Sequence, residues 1–151
     1  MHIWQTARLK KRLHYMNQAL KAITENEYVL CQLIKAYYQV KRYSDIIPVT
    51  QKIYKLPQFS LSRQHILYAI ALANTGQPGA AEKEFKMMKP RFSNYEARYQ
   101  YARFMIANDR SDEARLLLKE MISEVSHLSP RERRNNSNWF TLAKEELKKL
   151  S

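Results

Sequence analysis

Apolar residues recur along this chain at steps of three and four, and turn-forming residues cut the pattern into eight helical stretches. These are 4–22, 26–39, 43–56, 60–74, 77–88, 93–107, 110–127 and 130–149. Several boundaries have local causes. Thr24 and Glu27 stand at capping-box spacing before an apolar run. Thr75-Gly76 closes one stretch, and Pro78 falls in the first turn of the next, where its missing N–H does no harm. Ser129-Pro130-Arg131-Glu132 combines an N-cap, a first-position proline and a glutamate three residues on. Pro48 is accommodated if its helix starts at Ser44 or Asp45, and Pro57 and Pro90 act as stops.

The helices recur in pairs. Ile46, Ala81 and Ala114 occupy equivalent places in the second helix of each pair, which makes a period of about 34 residues. Residues 62 to 94 read His65-x₂-Tyr68-Ala69-x₂-Leu72 and then Ala81-x₃-Phe85. The following unit reads Arg98-x₂-Tyr101-Ala102-x₂-Met105 and Ala114-x₃-Leu118. The preceding one reads Leu30-x₂-Leu33-Ile34-x₂-Tyr37 and Ile46-x₃-Thr50, with Ile34 and Thr50 off the pattern. Small residues let paired helices approach closely, and Tyr37, Tyr68, Tyr101 and Phe85 fill the space between units. On these residues the chain resembles the tetratricopeptide repeat family over roughly residues 26 to 125.

That resemblance implies an all-α, right-handed helical-hairpin solenoid whose first helices line a concave surface. It divides one domain into a basic N-terminal helix (1–24), three repeats within 25–128 (27–61, 62–94 and 95–128) and a C-terminal capping helix (129–151). In the last helix Trp139, Phe140, Ala143 and Leu147 form an apolar stripe, with Lys144, Glu145, Lys148 and Lys149 toward water. The N-terminal helix has apolar residues for covering the first repeat as a second cap. The organisation is also similar to bacterial repeat proteins tethered at the inner membrane, which places the chain in the cytoplasm or at that membrane's inner face. No apolar run here is long enough to span a bilayer.

Composition sharpens this picture in two places. Two glycines in 151 residues disfavour folds that depend on glycine at tight turns or phosphate loops. Twenty-six Lys and Arg against fourteen Asp and Glu give a net charge of +12, which favours anionic partners. The excess is uneven. The N-terminal helix region holds Arg8, Lys10, Lys11, Arg12 and Lys21 and no acid, whereas residues 91 to 130 balance.

Chemistry is sparse. His2, His14, His65 and His127 stand at no metal-ligand spacing, and His65 falls in a packing slot. Glu82 and Glu84 read as a solvated pair, and Met87, Met88, Met105 and Met121 as core filler. Single Cys31 excludes an internal disulfide and has only Lys35 as a nearby base. No catalytic residue, metal or cofactor is expected.

On the first helix of each unit, residues facing away from the packing positions are expected to line the groove. They are Tyr28, Cys31, Lys35 and Tyr38, then Arg63, Ile66, Ile70 and Asn74, then Tyr99, Arg103 and Ile106. Tyrosines supply contact area, while Lys35, Arg63 and Arg103 would pair with carboxylates. The reading is a protein-interaction adaptor for an acidic protein or peptide segment. The competing reading is peripheral binding of anionic membrane or RNA through the basic terminal helices, with nucleic acid the weaker candidate.

Overall fold

The computed structural model describes residues 3–22, 26–88 and 94–151, with the backbone alone for 19–22, and all regular elements among them are helical. They are α1 (Ile3–Ala22), α2 (Glu27–Gln39), α3 (Tyr43–Ile53), α4 (Arg63–Asn74), α5 (Pro78–Met88), α6 (Tyr95–Ala107), α7 (Ser111–Ser123) and α8 (Pro130–Leu150). Single 3₁₀ turns occupy Phe59–Leu61 and Val125–His127, so the stretches expected over 43–56, 60–74 and 110–127 are shorter as α-helices. Pro57 disfavours helical backbone at Leu56, which ends the first of them early.

Local chemistry accounts for the other boundaries. Ser129 and Glu132 form a complete capping box at the start of α8, with Pro130 in its first turn. Thr24 and Pro90 lie outside the described residues. The cap of α2 is instead Asn26, whose side chain accepts the Tyr28 and Val29 N–H groups. Helix α3 begins at Tyr43, which puts Pro48 in its second turn rather than its first. The exposed proline therefore leaves the Ser44 carbonyl without its helical donor.

The pairs α2–α3, α4–α5 and α6–α7 turn in the same way. Lys41, Gly76 and Asp109 have positive φ of 59°, 75° and 60°. Each precedes its small or apolar marker, Ile46, Ala81 or Ala114, by the same number of positions, so the turns follow the repeat. The next residue's N–H returns to the helix each time: Arg42 to the Tyr37 carbonyl at 2.9 Å, Gln77 to Leu72 at 3.0 Å, and Arg110 to Met105 at 2.9 Å. These 6→1 bonds are Schellman closures, which stop a helix and satisfy one of its last carbonyls.

Each pair packs on the next. Helix α4 lies against α2 and α3, α6 against α4 and α5, and α8 against α6 and α7. Three linked cores result. Leu30, Ile34, Ile46, Ile53 and Phe59 meet Leu67 and Ala71 of α4. Ala69, Leu72, Ala81 and Phe85 meet Ala97 and Phe104 of α6. Ala102, Met105, Ala114, Leu118 and Met121 meet Phe140 and Ala143 of α8. Phe85 and Tyr101 stack between neighbouring pairs with centroids 5.2 Å apart and planes 6° off parallel. Met87 is not core filler. It is exposed because it lies off the Ala81–Phe85–Met88 stripe.

The two terminal helices differ. α8 packs on α6 and α7 through Phe140 and Ala143. α1 does not act as a cap, because residues 3–18 are exposed along their length. Lys10, Lys11 and Arg12 are interleaved with Leu9 and Leu13, so laying that row onto α2–α3 would desolvate the bases.

Candidate functional site

The helices α2, α4 and α6 bring side chains from three separate stretches to one groove of about 340 Å³. Tyr38, from the end of α2, meets Tyr43 edge-on at 6.3 Å. Ile70, Ala73 and Asn74 come from α4, and Gln100, Arg103, Phe104, Ala107 and Asn108 from α6 and its cap. The walls are thus largely polar, with Phe104 and Phe85 as aromatic ground beneath. Asn74 is the last residue of α4, and Asn108 caps the end of α6. Each donates its side-chain amide to the carbonyl four residues earlier, at 2.8 Å, which leaves the amide oxygen free of that bond.

Of the expected groove residues, Tyr38, Ile70, Asn74 and Arg103 line this groove. Two others are corrected. Ile66 is 2% exposed and Tyr99 4%, so both belong to the core. Ile66 packs with Ala69 and Leu72, and Tyr99 lies 5.9 Å from Trp139 of α8. Their helix face is covered by the following helices, which position along a single helix could not reveal. Tyr28 and Lys35 are exposed on α2 outside the groove, while Cys31 and Ile106 are half-buried. Burial, then the Glu27 carboxylate, push the Cys31 thiol up, the opposite of what a nucleophile requires.

Two of the three expected bases, Arg63 and Arg103, are already partnered. Arg63 Nε donates to both Glu96 oxygens, at 2.9 and 3.1 Å, and its guanidinium lies 5.9 Å from the Tyr38 ring centroid. Hydrogen bonding to Glu96 raises the Arg63 pKa further. Arg103 is looser. It donates to Tyr99 Oη at 3.4 Å and reaches Glu146 at 3.9 Å, with 56% of its side chain exposed. Burial, followed by the neighbouring Tyr43, raises the Tyr38 phenol. Tyr43, Gln100 and Asn108 were not anticipated. Tyr43 and Asn108 sit at helix ends, where pairing of units decides what remains open, and Gln100 stands three residues before Arg103 on the same side of α6.

The acid pair Glu82/Glu84 is not a solvated pair. Glu84 is 6% exposed. Tyr54 Oη donates to its two oxygens at 2.6 and 3.1 Å, and His65 Nε2 lies 3.0 Å away. A carboxylate that is ionised can only accept, which assigns His65 Nε2 as the donor in this pair. Glu84 follows Ala81 by three residues and adjoins Phe85, so its inward placement was readable from the packing stripe. Glu82 meets Arg110, Lys86 and the Tyr101 hydroxyl, with its pKa lowered chiefly by the Arg110 hydrogen bond. A second depression of about 410 Å³ lies between α5, α6 and α7, where Leu116 is 70% exposed.

No cluster of side chains suited to a metal ion occurs among the described residues, and no described helix is long and apolar enough to cross a membrane. No curated protein and no solved structure matches the chain. A family model described as the MAP3K TRAFs-binding domain matches residues 2–143, nearly the whole sequence. The chain therefore belongs to the MAP3K TRAFs-binding domain family.

Proposed function

We propose that the chain is a non-catalytic protein-binding domain. In this reading its three helix pairs stack as a tetratricopeptide-like array, and the groove across α2, α4 and α6 receives an extended segment of a partner. The observation that carries it is the groove itself: Tyr38, Tyr43, Asn74, Gln100, Arg103 and Asn108 converge on open space from three repeats. The identical turns at Lys41, Gly76 and Asp109 support the repeat reading. The family's name points to TRAF proteins as the partner class.

Amide oxygens and phenols suit the main chain of an extended segment, and the tyrosines add contact area at little entropic cost. Charge has a smaller part than the sequence suggested, because Glu96 already engages Arg63. A partner carboxylate is placed opposite Arg103, whose present carboxylate contact is long.

The test titrates purified TRAF proteins against the wild-type chain and against Tyr38→Ala and Arg103→Glu. Each substitution is expected to weaken binding by about tenfold or more while leaving thermal melting unchanged. Lys148→Glu, on the exposed side of α8, serves as the neutral control. Binding unaffected by both groove substitutions would remove the groove assignment. No binding by any TRAF protein would remove the partner class.

A further inference from the structure

We infer that α1 is itself a docking element, a helix taken up between helices of an acidic partner protein. Residues 3–18 are exposed, including Ile3 and Trp4 at 86%, Leu13 at 54% and Met16 at 53%. A 20-residue helix that buries none of these side chains gains little from its own domain. Large apolar side chains left in water in this density mark a surface that another molecule covers.

The arrangement on α1 defines the kind of cover. At about 100° per residue, Leu9, Leu13 and Met16 fall in one narrow row, spaced four and three apart. Trp4 and Tyr15 fall on the opposite side, with Ile3 farther round it and Lys11 between Ile3 and Trp4. Arg8 and Arg12 occupy one strip between the two rows, and Lys10 the other. A narrow apolar row flanked by charges is what helix-to-helix packing requires, with the flanking charges choosing the partner. All flanking charges here are positive, and no acid occurs in α1. The facing helices must therefore carry Asp or Glu beside their apolar seams.

Two other occupants fit less well. A second copy of α1 would set bases against bases, in a chain whose net charge is already +12. A membrane surface could insert one apolar row, but the other would remain in water. A cleft between two helices covers both. This surface is separate from the groove of α2, α4 and α6, so it does not depend on the reading given above.

The test uses the full chain and a synthetic antiparallel two-helix hairpin with leucine seams and glutamate flanks, labelled for anisotropy. The hairpin is expected to bind saturably and to protect the α1 amides from hydrogen exchange. Leu9→Asp with Leu13→Asp, and separately Lys10→Glu with Arg12→Glu, should each weaken binding at least about tenfold. Melting of α2–α8 should not change, and Arg103→Glu should leave hairpin binding intact. Vesicles of phosphatidylcholine with phosphatidylserine, and single-stranded RNA, are titrated in parallel. Failure of the hairpin to bind overturns the inference, whether or not vesicles or RNA take its place. So does hairpin binding that survives both double substitutions.

Discussion

The hairpins α4–α5 and α6–α7 share one spacing but fill their interiors differently. When the two are aligned on the repeat, Ala69 matches Ala102, Leu72 matches Met105, Ala81 matches Ala114 and Phe85 matches Leu118, all of them buried. In the same alignment His65 becomes Arg98 and Glu84 becomes Leu117. In the earlier hairpin a carboxylate is enclosed and takes hydrogen bonds from Tyr54 and His65. In the later one the corresponding site is a half-buried leucine, and Arg98 turns to Glu124 at 2.8 Å nearer the surface. The repeat spacing sets where the helices lie. It does not set whether their interface is apolar or hydrogen-bonded.

The largest expected effect comes from making the earlier hairpin like the later one. Glu84→Leu leaves the His65 N–H and the Tyr54 hydroxyl without their acceptor, and should cost about 3 kcal/mol. Adding His65→Leu and Tyr54→Phe removes the orphaned donors and should recover most of that loss. Urea denaturation at constant m-value measures both. A neutral Glu84→Leu, or a triple variant no better than the single, would erase the distinction between the hairpins. Disrupting the partly exposed Arg98–Glu124 pair with Glu124→Gln should cost less, about 1 kcal/mol.

Alkaline pH sharpens the comparison. Tyr54 is pushed up to about 12, first by its hydrogen bond to Glu84 and then by burial. Tyr95 also reaches about 12, but burial comes first and the Glu124 hydrogen bond second. A folded value above the unfolded one means that the stabilisation is fully present below pH about 10 and is lost as pH rises through about 12. Phenolate absorbance should therefore show these tyrosines ionising late, together with loosening of the fold. Glu84→Gln should advance Tyr54 clearly, whereas Glu124→Gln should move Tyr95 less. Equal advances would mean that hydrogen bonding dominates in both hairpins.

The smallest effects lie at the turns. Asp109→Gly gives the later hairpin the residue the earlier one has at Gly76, and should stabilise it by about 0.5–1 kcal/mol. Gly76→Ala should cost about 1 kcal/mol from backbone conformation alone, since an added Cβ would meet nothing within 4 Å. Thermal melting of both variants checks the pair. Equal and opposite shifts would show that the two turns carry the same strain.

Helix identity was legible before any coordinates, because it rests on residues close in sequence. Small side chains at Ala69, Ala81, Ala102 and Ala114 declared where helices meet, and the Ser129–Glu132 box declared where α8 begins. The candidate groove was legible only in part. Tyr38, Asn74 and Arg103 were placed by helical spacing, but Ile66 and Tyr99 were lost to the core because packed neighbours cover that side of α4 and α6.

The spacing of apolar and small residues by itself determined an all-helical chain of paired helices, since steps of three and four admit no other regular element. Only the tertiary structure decided which polar groups are enclosed and which bases remain available. Glu84 is buried because Tyr54 and His65, both distant along the chain, supply its donors, and Arg63 is engaged because Glu96 arrives from the following repeat. The same holds for α1. Its sequence offered an apolar row for the first hairpin, but burying that row would have stripped water from the bases beside it.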